Sequence, residues 1–176
     1  MKNFLPFRTR LYFQKIKTSK DTIKPHKGTS SKIYPNALKV LLHPKNFIHF
    51  NVWNKLYTKA IIGNIKFVPN MYYEDWVFNC QVFLYANGFA WIDEKLYGYN
   101  ISDKSIMRSS YSEKKIDDYA QGINEVYKYF SNKAPNLWLQ VKKSRISRTV
   151  KMMMNSALRS KNAELITKTK QVLQEL

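Results

Sequence analysis

Glu74 and Asp75 are adjacent carboxylates at the point where the aromatic pair Tyr72-Tyr73 gives way to the helical pattern Trp76-Val77-Phe78. A carboxylate at a helix start, beside a second carboxylate and aromatic neighbours, sits where one charge opposes another and water is partly excluded. Such surroundings tune a carboxylate for proton transfer. The plainer reading is that both acids stabilise the positive end of a helix. Other chemistry is sparse. The sequence has no GxGxxG, no P-loop, no CxxC, no HExxH and no GxSxG. His26, His43 and His49 lack the spacing of metal ligands, and the single Cys80 allows no internal disulfide.

Several elements must position this pair. Asn36 caps a predicted short helix over 37–42, which His43-Pro44 ends. The stretch 47–62 is aromatic and β-branched at first and helix-compatible from Asn54; 65–69 reads as a short strand stopped by Pro69. Residues 74–87 read as a buried helix, with Gly88 suited to the position after its end. Residues 89–92 and 95–100 read as strands. An amphipathic helix over 113–131 places Ile116, Tyr119, Ile123, Val126, Tyr127 and Phe130 on one face. A basic helix over 137–160 and a short amphipathic helix over 162–175 follow. Residues 14–36, with Pro25, Gly28 and a Ser/Thr run, read as a loop or linker.

The chain has 176 residues, a domain-sized length, and 44% are hydrophobic, which is too apolar for a disordered chain. Its net charge is +18: residues 1–34 carry +8, 133–176 carry +8 and the middle only +2. Cationic ends attract polyanions, either nucleic acid or an anionic membrane surface; Lys-rich solvated ends are the bland alternative. Arg8 and Arg10 interrupt any secretory signal. The longest uncharged stretch, 76–92, is too short to span a bilayer.

Three ordered segments carry more information than any one of them. Trp53, Lys55, Leu56 and Tyr57 are followed by Phe67, Glu74 and Asp75, and then by Leu96, Tyr97, Tyr99 and Ser105-Ile106-Met107. Over about residues 38–110 this set resembles the C-terminal, acceptor-side half of family 2 GT-A glycosyltransferases of bacterial surface-polysaccharide biosynthesis. The resemblance implies an α/β, partial GT-A-like fold, helix-rich with a few short strands. Its parts would be a basic, partly mobile segment (1–36), the GT-A-like half (37–110) and a C-terminal helical extension (111–176). It implies that Asp75 is the general base that takes the acceptor hydroxyl proton, with Glu74 beside it. Trp53 and Trp76 would meet the substrate. Lys55 would lie near the donor diphosphate or pair with Glu74 or Asp75, unless it is a surface lysine beside a core Trp53. Ser105 and Arg108 would pass near the donor phosphates; Tyr97 and Tyr99 would pack the sheet.

The family's nucleotide-binding half and its D-x-D pair have no counterpart here, since the only Asp before Asp75 is Asp21. Mg²⁺ or Mn²⁺ is therefore expected only with that other half, and none in this chain. The expectation is a truncated or split enzyme, inactive alone, whose strands complete another chain's sheet and expose raw edges. Its partners would be a nucleotide-sugar, a saccharide or lipid-linked acceptor and an N-terminal half chain. Its place would be the cytoplasm, peripheral on the inner face of the membrane. There Lys142, Lys143, Arg145, Arg148 and Lys151 would meet anionic headgroups while Trp138, Leu139, Val141 and Ile146 dip into the interface. A basic nucleic-acid-binding module is the alternative. Against it, the aromatics cluster in the neutral middle, and no RNP, KH or zinc-finger signature is present.

Overall fold

The computed structural model describes residues 10–14, 17–18, 31–34, 36–42, 50–92, 98–99 and 109–176. Helices dominate, with a few short strands. The central element is α3 (Glu74–Tyr85). Its residues Trp76, Val77, Phe78, Asn79, Cys80, Val82 and Phe83 are all buried, so it is enclosed on most sides and lacks a polar face. α1 (Ala37–Leu41), capped by the Asn36 side chain on the Lys39 N–H, packs against it. The short α2 (Lys59–Ile62) adds Ile61 to the same core.

α4 (Glu113–Lys133) lies across α3. Ile116, Tyr119, Ile123, Val126 and Phe130 are buried as the period requires, and Ser112 caps the helix at Lys115. Tyr127, expected on the same stripe, is instead exposed and lies edge-on to Trp138. The two helices meet at Gly122, where a Cβ would fall 2.8 Å from Met71 Cε, 3.1 Å from Trp76 and 3.2 Å from Val77.

β5 (Gly88–Ile92) runs through a four-stranded sheet. On one side β1 (Arg10–Gln14) pairs with it in parallel, Tyr12 opposite Ala90. On the other, β3 (Ser31–Tyr34) pairs antiparallel, Ile33 opposite Ala90. β4 (Lys55–Leu56) pairs antiparallel with β1. A second ladder joins β2 (Lys17–Thr18) to β6 (Gly98–Tyr99) in parallel. The stretch 14–36 is therefore not a linker throughout. The strand read at 89–92 is not a raw edge awaiting another chain, because this chain's own N-terminal residues flank it on both sides. Buried Phe89 and Ala90 suit such a central strand.

Other expectations are corrected locally. Residues 65–68 form no strand; Phe67 stacks on Phe78 with centroids 4.3 Å apart. The helix foreseen from Asn54 begins at Lys59, after β4. Gly88 opens β5, and Ala86 ends α3. The rest of the 95–100 strand lies outside the described residues.

The basic helix is interrupted. A 3₁₀ turn (Pro135–Leu137) leads into α5 (Trp138–Val141), then a π-helical turn (Lys142–Ile146), then α6 (Ser147–Ser160). Val141 and Ile146 are both fully or nearly fully buried. Five residues apart, they would diverge on an α-helix, but the wider turn returns both to the core. They are thus unable to dip into a membrane interface, as the sequence suggested they would. Lys142, Lys143, Arg148 and Lys151 are exposed, as is Leu139. No helix among the described residues is long and apolar enough to cross a membrane. α7 (Ala163–Glu175), capped by Asn162, returns along α6 and α4, and its Lys168 bridges to Glu113 and Asp117.

Candidate functional site

A cleft of about 500 Å³ opens at the N-terminus of α3. Its walls include Trp53, Asn70, Met71, Tyr72, Tyr73, Glu74, Asp75, Lys114 and Lys115. The turn that forms its rim is under backbone strain. Asn70 and Tyr73 both take left-handed conformations, at φ 54° and 65°. That is tolerable for Asn and costly for an aromatic residue, and strain of this kind persists only where surrounding contacts enforce it. Those contacts come from α4. Asp118, buried, accepts the Tyr72 N–H at 2.7 Å and the Lys114 ammonium at 2.9 Å. Lys114 also donates to the Asn70 carbonyl at 2.7 Å. Lys114 and Lys115 lie 5.4 and 5.5 Å from the Tyr72 ring centroid, close enough for cation–π attraction.

The opposite wall is tied to α3 through Asn79. Its amide donates to the Phe50 and Asp75 carbonyls, and its Oδ1 accepts the Tyr57 hydroxyl at 2.8 Å. Lys55 is buried in the same region, so it is not a surface lysine. Its ammonium donates to Asn51 O at 2.6 Å and Asn54 Oδ1 at 2.8 Å.

Electrostatics set Asp75 apart. Burial chiefly, then repulsion from Glu74, lifts its pKa from 3.8 to about 6. Backbone N–H groups at the helix start and the charge on Lys55 oppose this rise without cancelling it. Burial likewise pushes Lys55 down from 10.5 to about 7, against the pull of Asp75. Two ionisable groups of opposite type are thus held near neutrality beside one cleft, the condition in which a carboxylate is both ionised and basic enough to accept a proton.

Of the residues singled out from the sequence, the structure brings Trp53, Glu74 and Asp75 to one cleft. Lys55 stands behind it, coupled to Asp75 through space. Trp76 does not line the cleft. One residue on from Asp75, it is turned about 100° around the helix; it is buried against Gly122 and lies edge-on to Phe50 at 6.5 Å. Its indole N–H has no hydrogen-bond partner among the described residues. Ser105 and Arg108 lie outside the described residues, as does Tyr97. The site residues that sequence reading missed are Lys114, Lys115 and Asp118. A signal for them exists: Lys115, Asp118 and Gly122 share one helical row beside the apolar stripe of α4, and two charges and a glycine at buried spacing mark a contact with something other than plain core. Among the described residues no group of three His, Cys, Asp or Glu is placed to hold a metal ion.

No protein-family model and no curated protein sequence matches the chain. Among solved structures it is similar to S. aureus TarS, residues 1–349, in complex with UDP-GlcNAc. The identity is 15% and the TM-score 0.45, over 95% of this chain and 60% of that one. This chain thus spans three fifths of its structural neighbour's length.

Proposed function

We propose that this chain is the acceptor-side part of a nucleotide-sugar-dependent glycosyltransferase of the GT-A type, family 2, with Asp75 as general base. The observation that carries the reading is the Asp75 carboxylate, half-buried in an aromatic-walled cleft and pushed up to about 6. At neutral pH such a group is mostly ionised and more basic than a solvated carboxylate. In the reaction an acceptor hydroxyl gives its proton to an Asp75 oxygen as its own oxygen bonds to the anomeric carbon. The bond from that carbon to the diphosphate breaks, and the nucleoside diphosphate leaves with the electron pair. Glu74 holds Asp75 basic by repulsion, and Trp53 and Tyr72 offer flat faces to a sugar ring. No group of three His, Cys, Asp or Glu among the described residues is placed to hold a metal ion, and no step here is routed through one. Donor diphosphate and metal would be held by a donor-binding part or partner.

The test is nucleoside diphosphate release from UDP-GlcNAc and other nucleotide-sugars, with oligosaccharide acceptors and a donor-binding partner chain present. Asp75→Asn should lower turnover by roughly 10²–10⁴-fold, the usual worth of a general base, with little change in acceptor binding. Unchanged turnover in Asp75→Asn would remove the assignment.

A further inference from the structure

The helical run 138–160, made of α5, the π-helical turn and α6, carries Lys142, Lys143, Arg145, Arg148, Lys151 and Arg159 and no Asp or Glu in its own sequence. Its apolar stripe is committed to the core, where Val141, Ile146, Met153 and Ala157 are all buried. The side left to solvent is nevertheless not purely polar. Leu139, Met152 and Leu158 are 59%, 45% and 54% exposed. Helical geometry sets each of them beside a cation. Lys142 and Lys143 follow Leu139 by three and four residues, while Leu158 and Arg159 stand two turns beyond Lys151 and Met152. Lys142, Lys143, Lys151 and Arg159 are themselves exposed. Aliphatic area left in water costs free energy in proportion to its extent. A face that mixes such area with cations fits a surface that offers anions at its skin and hydrocarbon just beneath. Nucleic acid offers phosphates without hydrocarbon, and its bases are met by flat rings. The exposed large apolar side chains of this run are aliphatic, and its Trp138 packs edge-on to Tyr127 with centroids 4.9 Å apart.

We infer that this face of residues 138–160 docks on an anionic lipid bilayer, with Lys142, Lys143, Lys151 and Arg159 on the headgroups and Leu139 and Leu158 in the interface. The contact is shallow, because core packing keeps the main apolar stripe of the helix from inserting. It involves neither Asp75 nor its cleft, and it holds whether or not the chain transfers a sugar.

Co-sedimentation of the full chain with phosphatidylcholine vesicles, with and without about one third phosphatidylglycerol, tests it. The protein should bind the anionic vesicles, leave the neutral ones, and lose most of its binding between about 0.1 M and about 0.5 M salt as screening strengthens. Lys142→Gln, Lys143→Gln and Lys151→Gln combined should weaken binding roughly 100-fold, at roughly fivefold for each charge near the surface. Leu139→Gln with Leu158→Gln should weaken it roughly tenfold at unchanged charge. All five positions are exposed, so both variants should keep the wild-type circular dichroism spectrum. The basic segment 1–34 is intact in both, so full vesicle binding by the lysine variant would move the contact there and overturn the inference. Full binding by the leucine variant, or equal binding to neutral and anionic vesicles, overturns it as well. Retention of single-stranded oligothymidylate without vesicle binding would give the face to nucleic acid, with the same consequence. None of these results touches the transferase reading, which stands or falls on turnover by Asp75→Asn.

Discussion

Replacing Asp75 by Asn should make the protein more stable at alkaline pH, a consequence of holding a charge where folding alone would not place one. A pKa of 3.8 in the unfolded chain against about 6 in the folded protein corresponds to about 3 kcal/mol. The sign follows from proton uptake. Because the folded carboxyl holds its proton more tightly, its favourable contribution is complete below pH 3.8 and is lost as pH rises through about 6. At pH 8 the ionised carboxylate therefore costs the fold, and Lys55, pushed down to about 7, is mostly neutral there and compensates little. A carboxamide resembles the neutral acid and escapes the cost. Allowing for the solvent that still reaches the half-buried side chain, a gain of about 1–2 kcal/mol is expected at pH 8. For a chain of this size that is roughly 2–8 °C in Tm. The assay is thermal unfolding of both proteins by circular dichroism from pH 4 to pH 8. The two curves should lie close together at pH 4 and separate through pH 6. If Asp75→Asn melts at or below the wild-type temperature at pH 8, or shows the same difference at every pH, the electrostatic account of the cleft is wrong.

Four further outcomes bear on the scaffold. Gly122→Val should destabilise by about 1–3 kcal/mol in urea titrations, because its branches would drive into Trp76 and Val77. Gly122→Ala should cost less, since the helix-propensity gain of about 1 kcal/mol offsets a contact that Met71 can partly yield. Asp118→Ala should cost about 1–3 kcal/mol by stranding the Tyr72 N–H, while the exposed Lys114 keeps its bond to the Asn70 carbonyl, and it should raise hydrogen exchange at Tyr72 before the rest of the chain. Lys161→Gly should stabilise by about 0.5–1 kcal/mol in thermal melts, because Lys161 ends α6 at φ 55°, where glycine carries no steric penalty.

Much of the helical content was legible because its causes are local. The Asn36 and Ser112 caps, the stripe from Ile116 to Phe130 and the acidic first turn of α3 each depend on residues within a few positions of one another. The candidate base was legible for the same reason, as two carboxylates beside aromatics. The basic helix misled because a strict 3.6-residue period was assumed through Lys142–Ile146, where the backbone widens. Reading 31–34 as part of a linker failed because a four-residue strand of polar and apolar residues carries little signal until its partner, more than fifty residues away, is known.

By itself, then, the sequence determined where α3 begins, which residues α4 buries and that Glu74 and Asp75 open the central helix. The tertiary structure decided what those acids face. Lys55 arrives from twenty residues upstream and Asp118 from over forty downstream. They set the charge behind Asp75 and the strained turn before it. The physical reason is one of range: helix formation is settled by neighbours along the chain, whereas desolvation and Coulomb coupling depend on distances in space that only packing fixes.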